Sequence, residues 1–453
     1  MSDLIISISG IRGIVGASLT PEVVERYCTA FAAFCGKGSI VVGYDGRPSG
    51  RMYSHIVEAA IQLSGCNVID IGMAPTPTVQ MAVEYFRANG GIAITASHNP
   101  AEWNGLKFLD ATGVFLDQTQ FDALHRIAGA APSYARWDAL GSKTEAKNFS
   151  QRHIEAALSI PFIDYEAIRS RRFKIVVDAV NASGSYIVPE LLRALGCEVI
   201  PIACDGTGEF PHTPEPIPAN LSSLGDAVRE HRADFGIAVD PDADRLVLYM
   251  ENGEPFGEEY SITTAVYAAL KSLPDASGKT VVVNLSTTRA VEDVAKMFGA
   301  ALHRTPVGEI NVVKKMRELQ ALVGGEGSGG IILPSVHYGR DSLVGCVLVL
   351  SAFAAFDGSV SAFRKSLPGY SMEKKKFSVN GIDTKRLFET IRNAYPDAMM
   401  NSDDGLRIEF PDGWVHLRTS NTEPIMRIIA EARTLEQAQA FVQDMELILN
   451  ASK

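Results

Sequence analysis

Residues 240–245 read D-P-D-A-D-R and place three carboxylates, those of Asp240, Asp242 and Asp244, at alternating positions. Carboxylates spaced in this way can supply oxygen ligands to one hard cation, and without a cation they would repel one another strongly. The segment is not an EF-hand, because its sixth position is Arg245 rather than glycine and strand-like residues follow it. Three protein ligands leave room for a phosphate oxygen, which favours Mg²⁺ in phosphoryl transfer; a solvated acidic turn is the alternative.

Ser97 lies in the segment T-A-S-H-N-P, residues 95–100, directly after a predicted strand. A serine at the end of a strand is placed to project into a cleft, although an N-P turn by itself also suits an ordinary surface loop. We expect the adjacent His98 not to act as its base, because neighbouring side chains diverge in an extended chain.

Residues 418–424, R-T-S-N-T-E-P, combine an arginine with a turn rich in hydroxyl and amide groups, and Arg427 follows. Arginine binds phosphate through two parallel hydrogen bonds, and the backbone N–H groups of such a turn can complete an anion site. The alternative is a surface turn between two strands.

The glycine-rich segment 324–330, G-G-E-G-S-G-G, carries Glu326 and Ser328 as an acceptor and a donor for sugar hydroxyls. Two shorter segments each hold one cation: Arg12 in a Gly-flanked loop near the N-terminus, and Lys107 soon after Ser97. Taken alone, the glycine-rich segment is equally typical of a turn, and either cation is typical of the surface.

The chain that carries these segments alternates strands with helices, which is the pattern of α/β architecture. Three rounds are predicted, with strands at 40–43, 67–71 and 91–95, then 174–179, 198–202 and 234–239, then 280–284 and 302–304. Ligand-binding loops lie beyond the carboxyl ends of strands in open parallel sheets. The segments after Thr95, after Val239 and around Gly325 are in such positions, so they can meet if three similar domains face one cleft.

The last part of the chain has a different order of elements. Strands are predicted at 376–379, 406–410, 414–418 and 425–431, with a P-D-G hairpin turn at 411–413 and helices at 384–395 and 435–448. This order indicates a small α+β domain. We therefore predict four domains, at residues 1–150, 151–254, 255–370 and 371–453.

Composition excludes several classes of protein. The chain has 453 residues, 46% hydrophobic and 21% charged, with no apolar run long enough to span a bilayer and no pattern of a signal peptide. Its net charge of −11 argues against nonspecific binding to nucleic acid. Six cysteines without a C-x-x-C pair indicate a reducing compartment, so we expect a cytoplasmic protein that is a monomer or a homodimer.

Together, the four segments resemble the signature of the α-D-phosphohexomutase superfamily. That signature has a serine segment T-A-S-H-N-P, a metal segment D-x-D-x-D-R, a sugar segment G-E-x-S-G and a phosphate segment R-x-S-N-T-E-P, and all four occur here in this order. The segments 9–13, 103–107 and 214–221 match further family elements. Any one match is weak, whereas the ordered set is highly specific.

The resemblance implies three similar α/β/α domains with mixed sheets and a smaller C-terminal α+β domain around a central cleft. It also implies a reaction in which phosphoserine at Ser97 exchanges a phosphoryl group with a bound hexose phosphate through a 1,6-bisphosphate. Mg²⁺ and an activating glucose 1,6-bisphosphate, or the cognate hexose bisphosphate, would take part.

The site residues follow from the same resemblance. Asp240, Asp242 and Asp244 would hold Mg²⁺ together with Ser97. Arg12 and Arg245 would neutralise the transferring group, and Lys107 would transfer a proton. Sugar and phosphate binding would fall to Glu326, Ser328, Thr305, Gly308, Arg418, Ser420, Asn421, Thr422 and Arg427.

Two features bear on the sugar. Many members of the superfamily continue the sugar segment with histidine, but the residue here is Gly330; His337 lies nearby in sequence and is more typical of a structural residue. Residues 305–308, T-P-V-G, resemble the T-x-V-G element of phosphoglucosamine mutases more than the T-G-H element of phosphomannomutase/phosphoglucomutase. We therefore favour glucosamine phosphate, with mannose or glucose phosphate as the alternative.

Two other functions compete with the mutase. A metal-dependent sugar phosphatase would use Ser97 transiently and release inorganic phosphate, although a separate phosphate-binding segment favours retention of a bisphosphate. A non-catalytic sugar-phosphate binding protein would be expected to have lost the nucleophile or the metal ligands, but Ser97 and the three aspartates are present.

Overall fold

The computed structural model describes residues 4–380, 382–419 and 425–451 of the chain. Within these ranges the strands form four sheets, of seven, four, four and five strands in chain order. The first three sheets mix parallel and antiparallel pairs, whereas all pairs of the fourth are antiparallel. The predicted fold class, three α/β units followed by a small α+β unit, is confirmed.

The first unit is built around strand β3, whose residues Ile40, Val41 and Val42 are fully buried. A strand covered by helices on both faces needs such a continuous apolar run. Helix α1 begins with Pro21, whose fixed φ suits the first helical position. The strand order is β1-β2-β6-β5-β3-β4-β7. The elements are β1 (Ile5–Ser7), β2 (Gly10–Ile14), α1 (Pro21–Cys35), β3 (Ser39–Tyr44), α2 (Pro48–Leu63), β4 (Asn67–Met73), α3 (Thr76–Phe86), β5 (Gly90–Ile94), β6 (Trp103–Leu109), α4 (Gln118–Ala128) and β7 (Lys143–Glu145).

One expectation about this unit was wrong, and one alternative, a surface position for Lys107, is excluded. Arg12 lies within strand β2 rather than in a loop, and Lys107 lies within β6 with only 3% of its surface exposed. Gly10 and Gly13, the glycines that suggested a loop, lie in β2, and Gly10 allows the backbone of this strand to approach β6 closely. Arg12 pairs with Gly105 across the two strands, and a Cβ on Gly10 would approach the carbonyl oxygen of Leu106 to 2.2 Å.

The second unit has a four-stranded sheet in the order β11-β10-β8-β9. Strands β10 and β11 form an antiparallel pair, and residues 240–245 are the turn between them. The acidic segment is therefore held at both ends by the same sheet. The elements are α5 (Phe149–Ala157), α6 (Tyr165–Arg171), β8 (Lys174–Asp178), α7 (Gly184–Ala194), β9 (Glu198–Ile202), a 3₁₀ turn (Pro218–Asn220), α8 (Ser222–His231), β10 (Phe235–Val239) and β11 (Leu246–Met250).

The third unit shares one continuous apolar core with the second, joined through helices α9 and α12. Neither helix was predicted. For α12 the reason is that the helix is apolar on all sides and so has no amphipathic pattern. The sheet order is β13-β12-β14-β15. The elements are α9 (Tyr260–Lys271), β12 (Thr280–Asn284), α10 (Ala290–Met297), β13 (Ala301–Thr305), α11 (Glu309–Leu319), β14 (Val323–Glu326), β15 (Gly330–Ile332), α12 (Ser342–Ala354) and α13 (Val360–Ser366).

The fourth unit has its own core, in which Leu387, Val415 and Val442 are buried. Its sheet runs in the order β16-β20-β19-β18-β17, and the predicted P-D-G hairpin joins β18 to β19. The elements are β16 (Ser371–Ser378), α14 (Thr384–Ala394), β17 (Met399–Asn401), β18 (Leu406–Phe410), β19 (Gly413–Thr419), β20 (Ile425–Ala432) and α15 (Leu435–Ala451).

A buried polar cluster links the first three units. His153 and His337 both contact Asp341 Oδ2, at 2.8 and 3.0 Å, and Thr78 of α3 contacts the other ring nitrogen of His153. His337 is therefore a structural histidine, as expected from sequence. In the ranges that the structure covers, no helix combines the length and the apolar character needed to cross a membrane.

Candidate active site

Ser97 and the three aspartates of the acidic segment come together at the boundary between the first and second units. Ser97 Oγ lies 3.0 Å from Asp240 Oδ2, and ligand oxygens of the three aspartates lie within 4.8 Å of one another. All four residues are buried, with at most 2% of their surface exposed. The Ser97 segment and the acidic segment each follow the carboxyl end of a strand, and they meet as that position led us to expect.

The turn that carries Ser97 is held by a buried network behind it. Ser97 adopts a left-handed φ of 50°, and its backbone N–H donates to Thr95 Oγ1 at 2.8 Å. Arg47 donates to the carbonyl oxygen of Ser97 at 2.7 Å and is paired with Asp45, which also accepts from Thr95. Sequence reasoning missed Asp45 and Arg47, although both follow the carboxyl end of β3 and the same strand-end rule would have singled them out.

The acidic turn is fixed from all three α/β units. Thr76 at the start of α3 donates its backbone N–H to the carbonyl oxygen of Asp242, at 3.0 Å. Ser183 Oγ donates to the Pro241 carbonyl and Ser342 Oγ to the Ala243 carbonyl, both at 2.7 Å. These bonds satisfy buried carbonyl oxygens of the turn, so the aspartate side chains project from a rigid backbone.

Each of two aspartates has one bonded oxygen and one free oxygen. Asp242 Oδ2 accepts from Lys107 and from Thr76 Oγ1, both at 2.6 Å, and Asp244 Oδ2 accepts from Arg340 at 2.6 Å. The Oδ1 atoms of Asp242 and Asp244 are buried without any hydrogen-bond donor. Unpaired buried carboxylate oxygens are costly, and a cation between them removes that cost.

The titration behaviour of the cluster agrees with this geometry. Burial, followed by the neighbouring charges of Asp244 and Asp242, raises the pKa of Asp240 well above its usual value. Burial acts in the same direction on Asp242, but the charge and hydrogen bond of Lys107, the hydrogen bond of Thr76 and the charge of Arg340 together hold its pKa far below the usual range. The protein's own cations thus neutralise part of the cluster, and an oxygen-preferring divalent cation fits the remainder.

Two arginines border the Ser97 site. Arg245 Nε lies 3.9 Å from both Asp240 and Asp244, and Arg12 donates to Asn99 Oδ1 at 3.2 Å. The Nε atoms of both arginines are buried without an acceptor. Burial lowers the pKa of Arg12, against the opposing charge of Asp242. Donors of this kind suit an incoming anion such as a phosphoryl group.

His98 departs from the sequence expectation in one respect. The backbone at Ser97 is not extended, so the two neighbouring side chains do not diverge, and His98 Nδ1 lies 3.4 Å from Ser97 Oγ. Burial, followed by the charges of Arg245 and Arg12, lowers the pKa of His98 to about 2. A ring that binds a proton so weakly is a poor base. We therefore still expect His98 not to act as the base for Ser97, but because of its low pKa and not because the side chains diverge.

The glycine-rich segment forms an antiparallel hairpin between β14 and β15, with Ser328 in its turn. Glu326 Oε1 accepts from Asn284 at 2.9 Å and from the backbone N–H of Gly308 at 3.1 Å. Thr305 is buried at the end of β13 and bonds the Pro306 carbonyl. The predicted sugar-binding residues are therefore adjacent, and all but Thr305 line the clefts described next.

Two connected clefts of about 360 and 530 Å³ adjoin these residues. Both are lined by Arg245, Glu326, Arg340 and Arg418, and a larger cavity of about 1250 Å³ elsewhere, between the third and fourth units, contains none of the predicted residues. The two clefts together are large enough for a hexose with two phosphate groups.

The fourth unit contributes a pair of arginines to the same clefts. Arg418 on β19 and Arg427 on β20 are directly paired across the two strands, and Arg418 Nε lies 2.8 Å from Asp404. The other predicted phosphate ligands, Ser420, Asn421 and Thr422, lie outside the described residues. The two arginines line both clefts, and one of these clefts is also lined by His98 of the Ser97 turn.

Arg340 is a site residue that the sequence did not single out. Its guanidinium binds Asp244 Oδ2 at 2.6 Å, Glu326 Oε2 at 2.8 Å and Glu309 Oε2 at 3.0 Å. The residue follows no strand and no recognised motif, so only the folded chain reveals its position. Burial acts to raise the pKa of Glu326, but the charge of Arg340, with hydrogen bonds from Asn284 and Gly308, lowers this pKa overall.

Comparison with known proteins gives a consistent result. Four family models match: phosphoglucomutase/phosphomannomutase α/β/α domains I, II and III at residues 4–134, 151–253 and 257–370, and the C-terminal domain at 378–448. These ranges do not test the exact domain limits, at residues 1–150, 151–254, 255–370 and 371–453, which stay predictions.

Individual relatives span almost the whole chain. A phosphoglucomutase/phosphomannomutase from Thermococcus kodakarensis is 35% identical over 96% of both chains, and a probable phosphoglucosamine mutase from Methanopyrus kandleri is 34% identical over 95% of this chain and 94% of its own. A crystal structure of a phosphoglucomutase/phosphomannomutase family protein from Burkholderia thailandensis superposes with a TM-score of 0.84, at 27% identity, over 99% of this chain and 98% of its own.

Proposed function

This chain belongs to the phosphoglucomutase/phosphomannomutase family within the α-D-phosphohexomutase superfamily and is a phosphohexomutase, and we propose that it works through phosphoserine at Ser97 with glucosamine phosphate as its preferred substrate. One observation carries the proposal. Ser97 Oγ lies 3.0 Å from Asp240 beside two carboxylates that each keep one unpaired, buried oxygen.

Asp240, Asp242 and Asp244 are the residues that would hold Mg²⁺, together with an oxygen of phosphorylated Ser97. The unpaired Oδ1 atoms of Asp242 and Asp244 support this assignment, and so does the hard-oxygen composition of the set. When bound, the cation supplies positive charge that offsets the charge of the transferring phosphoryl group.

In the proposed reaction, the free hydroxyl oxygen of a bound hexose monophosphate forms a bond to phosphorus as the bond from phosphorus to Ser97 Oγ breaks. The proton of that hydroxyl passes, by way of Lys107, to Ser97 Oγ as this oxygen leaves, and the product is a hexose 1,6-bisphosphate. After this intermediate has turned over, Ser97 Oγ forms a bond to its other phosphorus as the bond from that phosphorus to the sugar oxygen breaks. The serine proton passes to the sugar oxygen, and the isomeric monophosphate is released. Glucose 1,6-bisphosphate, or the cognate bisphosphate, would load Ser97 at the start.

The cations around Ser97 would stabilise this transfer. Arg12 and Arg245 each present a buried Nε without an acceptor, which is the arrangement expected of donors to a charged phosphoryl group. We assign proton transfer at the reacting hydroxyl to Lys107, whose Nζ lies 2.6 Å from Asp242 and 3.5 Å from Asp244. Buried groups of this kind exclude water, which would otherwise hydrolyse phosphoserine.

Other residues of the clefts would bind the sugar and its second phosphate. We assign the distal phosphate to Arg418, Arg427 and the segment that contains Ser420, Asn421 and Thr422. Sugar hydroxyls would contact Glu326 and Ser328, with Gly308 and Thr305 shaping the wall behind them. A phosphate site on a separate domain can accept the bisphosphate in either of its two orientations.

Glucosamine is favoured by residues 305–308, T-P-V-G, and by the carboxylates that line the cleft. An ammonium group on the sugar would find acceptors in Glu215 and Glu326 there. The second candidate, a phosphomannomutase/phosphoglucomutase, is favoured by the name of the 35% identical relative from Thermococcus kodakarensis.

Phosphorus NMR with a panel of sugars tests the proposal. The protein would be incubated with Mg²⁺, a trace of glucose 1,6-bisphosphate and, in turn, the phosphates of glucosamine, mannose and glucose. We expect interconversion of 1- and 6-phosphates, fastest for glucosamine. Accumulating inorganic phosphate would indicate the phosphatase instead, and faster turnover of mannose or glucose phosphate would overturn the preference for glucosamine.

A further inference from the structure

Arg340 joins three carboxylates that come from different parts of the chain. Its three guanidinium nitrogens bind Asp244 of the acidic turn, Glu326 of the glycine-rich hairpin and Glu309 at the start of α11, at 2.6–3.0 Å. Its side chain is 11% exposed and lines both clefts. One cation therefore connects the metal-binding turn of the second unit with the sugar-binding hairpin of the third.

Gly330 provides the space that Arg340 occupies. A Cβ built on Gly330 would lie 2.2 Å from Arg340 Cδ, a distance that real Cβ atoms do not show, and 3.0 Å from Arg340 Cγ. Gly330 has no left-handed φ that would require glycine. The lack of a side chain at this position is thus explained by the passage of Arg340 and not by the backbone.

The contacts of Arg340 determine which carboxylate oxygens remain for other partners. It occupies Asp244 Oδ2 and so leaves Oδ1 of the same residue, which is buried without a hydrogen-bond donor, for another partner. It occupies Glu326 Oε2, while Asn284 and Gly308 bond Oε1. A planar guanidinium with several fixed donors sets the relative orientation of both carboxylates, which lysine cannot do.

We propose that Arg340 is a positioning residue for phosphoryl transfer that aligns the sugar-binding Glu326 with the metal turn, and that Gly330 is required to admit it. This inference rests on the proposed function of the site. The displacement of a residue that orients a binding group typically costs about 10- to 100-fold in activity.

Substitution of Arg340 is the first test. We expect Arg340→Ala to lower kcat/KM for the best hexose phosphate by about 10- to 100-fold, Arg340→Lys to recover only part of this loss, and added guanidinium ion to restore part of the activity of the alanine variant. Arg169→Ala, which removes an exposed arginine on α6, is the matched control and should behave as wild type. Kinetic constants of Arg340→Ala equal to those of wild type, or a loss that guanidinium does not reverse, would overturn the proposal.

A double-mutant cycle tests the role of Gly330. Gly330→Ala should displace Arg340 and lower kcat/KM, but the same change should have little further effect in the Arg340→Ala background, where the space is empty. Equal effects of Gly330→Ala in the two backgrounds would contradict the inference. Arg340→Lys, which keeps a cation among the three carboxylates, separates a loss of alignment from misfolding caused by unpaired buried charge.

Two binding measurements separate this inference from the proposed function. By calorimetry, Arg340→Ala should still bind Mn²⁺, because the change removes a positive charge beside Asp244, but it should bind glucosamine 6-phosphate more weakly than wild type. Loss of Mn²⁺ binding would show a structural role in the metal turn and overturn the assignment. An active wild type with an unaffected variant refutes only the inference about Arg340, whereas a wild type that neither binds nor converts a hexose phosphate refutes the proposed function.

Discussion

Ser97 Oγ lies 3.0 Å from Asp240 Oδ2, although 143 positions separate the two residues in the chain and they follow strands of different sheets. The contact joins the proposed nucleophile of the first unit to the acidic turn of the second. Each partner is held by its own buried network, so their distance depends on the packing of the two units against each other.

Replacing Ser97 by alanine should abolish interconversion of hexose phosphates. Activity should fall by several orders of magnitude, because the proposed reaction has no other acceptor for the phosphoryl group. The melting temperature should change little, since the Ser97 hydroxyl makes two side-chain contacts, with Asp240 and His98, and is small. Ser159→Ala, at an exposed serine after α5, serves as the control in the same NMR assay. Wild-type rates for Ser97→Ala would rule out the phosphoserine mechanism.

Chelation should remove activity, and Mg²⁺ should restore it. The same cation should stabilise the folded protein, because it binds the buried aspartates only when they are brought together. A concentration of about 100 times Kd would add about 2.7 kcal/mol to the free energy of unfolding. Thermal melting with and without Mg²⁺ measures this effect, and Asp242→Asn should reduce it. Full activity after exhaustive treatment with EDTA would exclude the metal assignment.

Lys107→Met should destabilise the protein in the absence of divalent cations. Lys107 Nζ pairs with Asp242 and Asp244, and removal of one partner from a buried ion pair typically costs about 3–5 kcal/mol. Mg²⁺ should therefore raise the melting temperature of Lys107→Met more than that of wild type. Turnover should stay low even at saturating Mg²⁺ if Lys107 transfers the proton; a variant with normal kcat would remove it from that role.

Arg418→Ala should weaken the binding of hexose phosphates. Loss of a hydrogen bond to a charged group typically costs about 1.5–3 kcal/mol, which corresponds to roughly 10- to 150-fold in kcat/KM. We expect much of this loss in KM, because a distal phosphate is bound throughout the reaction. Arg386→Ala, on the exposed face of α14, is the matched control. An unchanged kcat/KM for Arg418→Ala would place the distal phosphate elsewhere.

Acidification should weaken the contact between the third and fourth units through His416. Its two ring nitrogens lie 2.9 Å from Ser286 Oγ and 2.6 Å from the Asp404 carbonyl, and burial lowers its pKa to about 4. The unfolded chain has the higher pKa, about 6.5, and so binds more protons as the pH falls from about 6.5 towards 4.

Stability should therefore decrease over that range, by about 2 kcal/mol for this residue between pH 7.5 and pH 5. His416→Gln should lose less stability than wild type over the same interval, as measured by thermal melting at the two pH values. An identical decrease in both proteins would show that other groups cause the acid sensitivity.

Some features of this protein are determined locally and were accessible from the sequence. A continuous apolar run predicts strand β3, an N-terminal proline predicts the start of helix α1, and a P-D-G turn predicts the hairpin between β18 and β19. Each depends on residues a few positions apart, so short-range preferences are sufficient. The acidic segment and the Ser97 segment also carry their chemistry in adjacent residues, and the order of the segments was enough to suggest the family.

The positions of Arg12, Lys107 and Arg340 depended on the tertiary structure. Glycines beside Arg12 are compatible with a loop or with a strand that closely approaches its neighbour, and only the pairing with β6 decides between them. Helix α12 is apolar on every side and is covered by two units. Its sequence therefore has no helical period that would show which face is buried. Arg340 meets Asp244 and Glu326 only after the second and third units have packed together, since contacts between distant residues leave no local pattern in the chain.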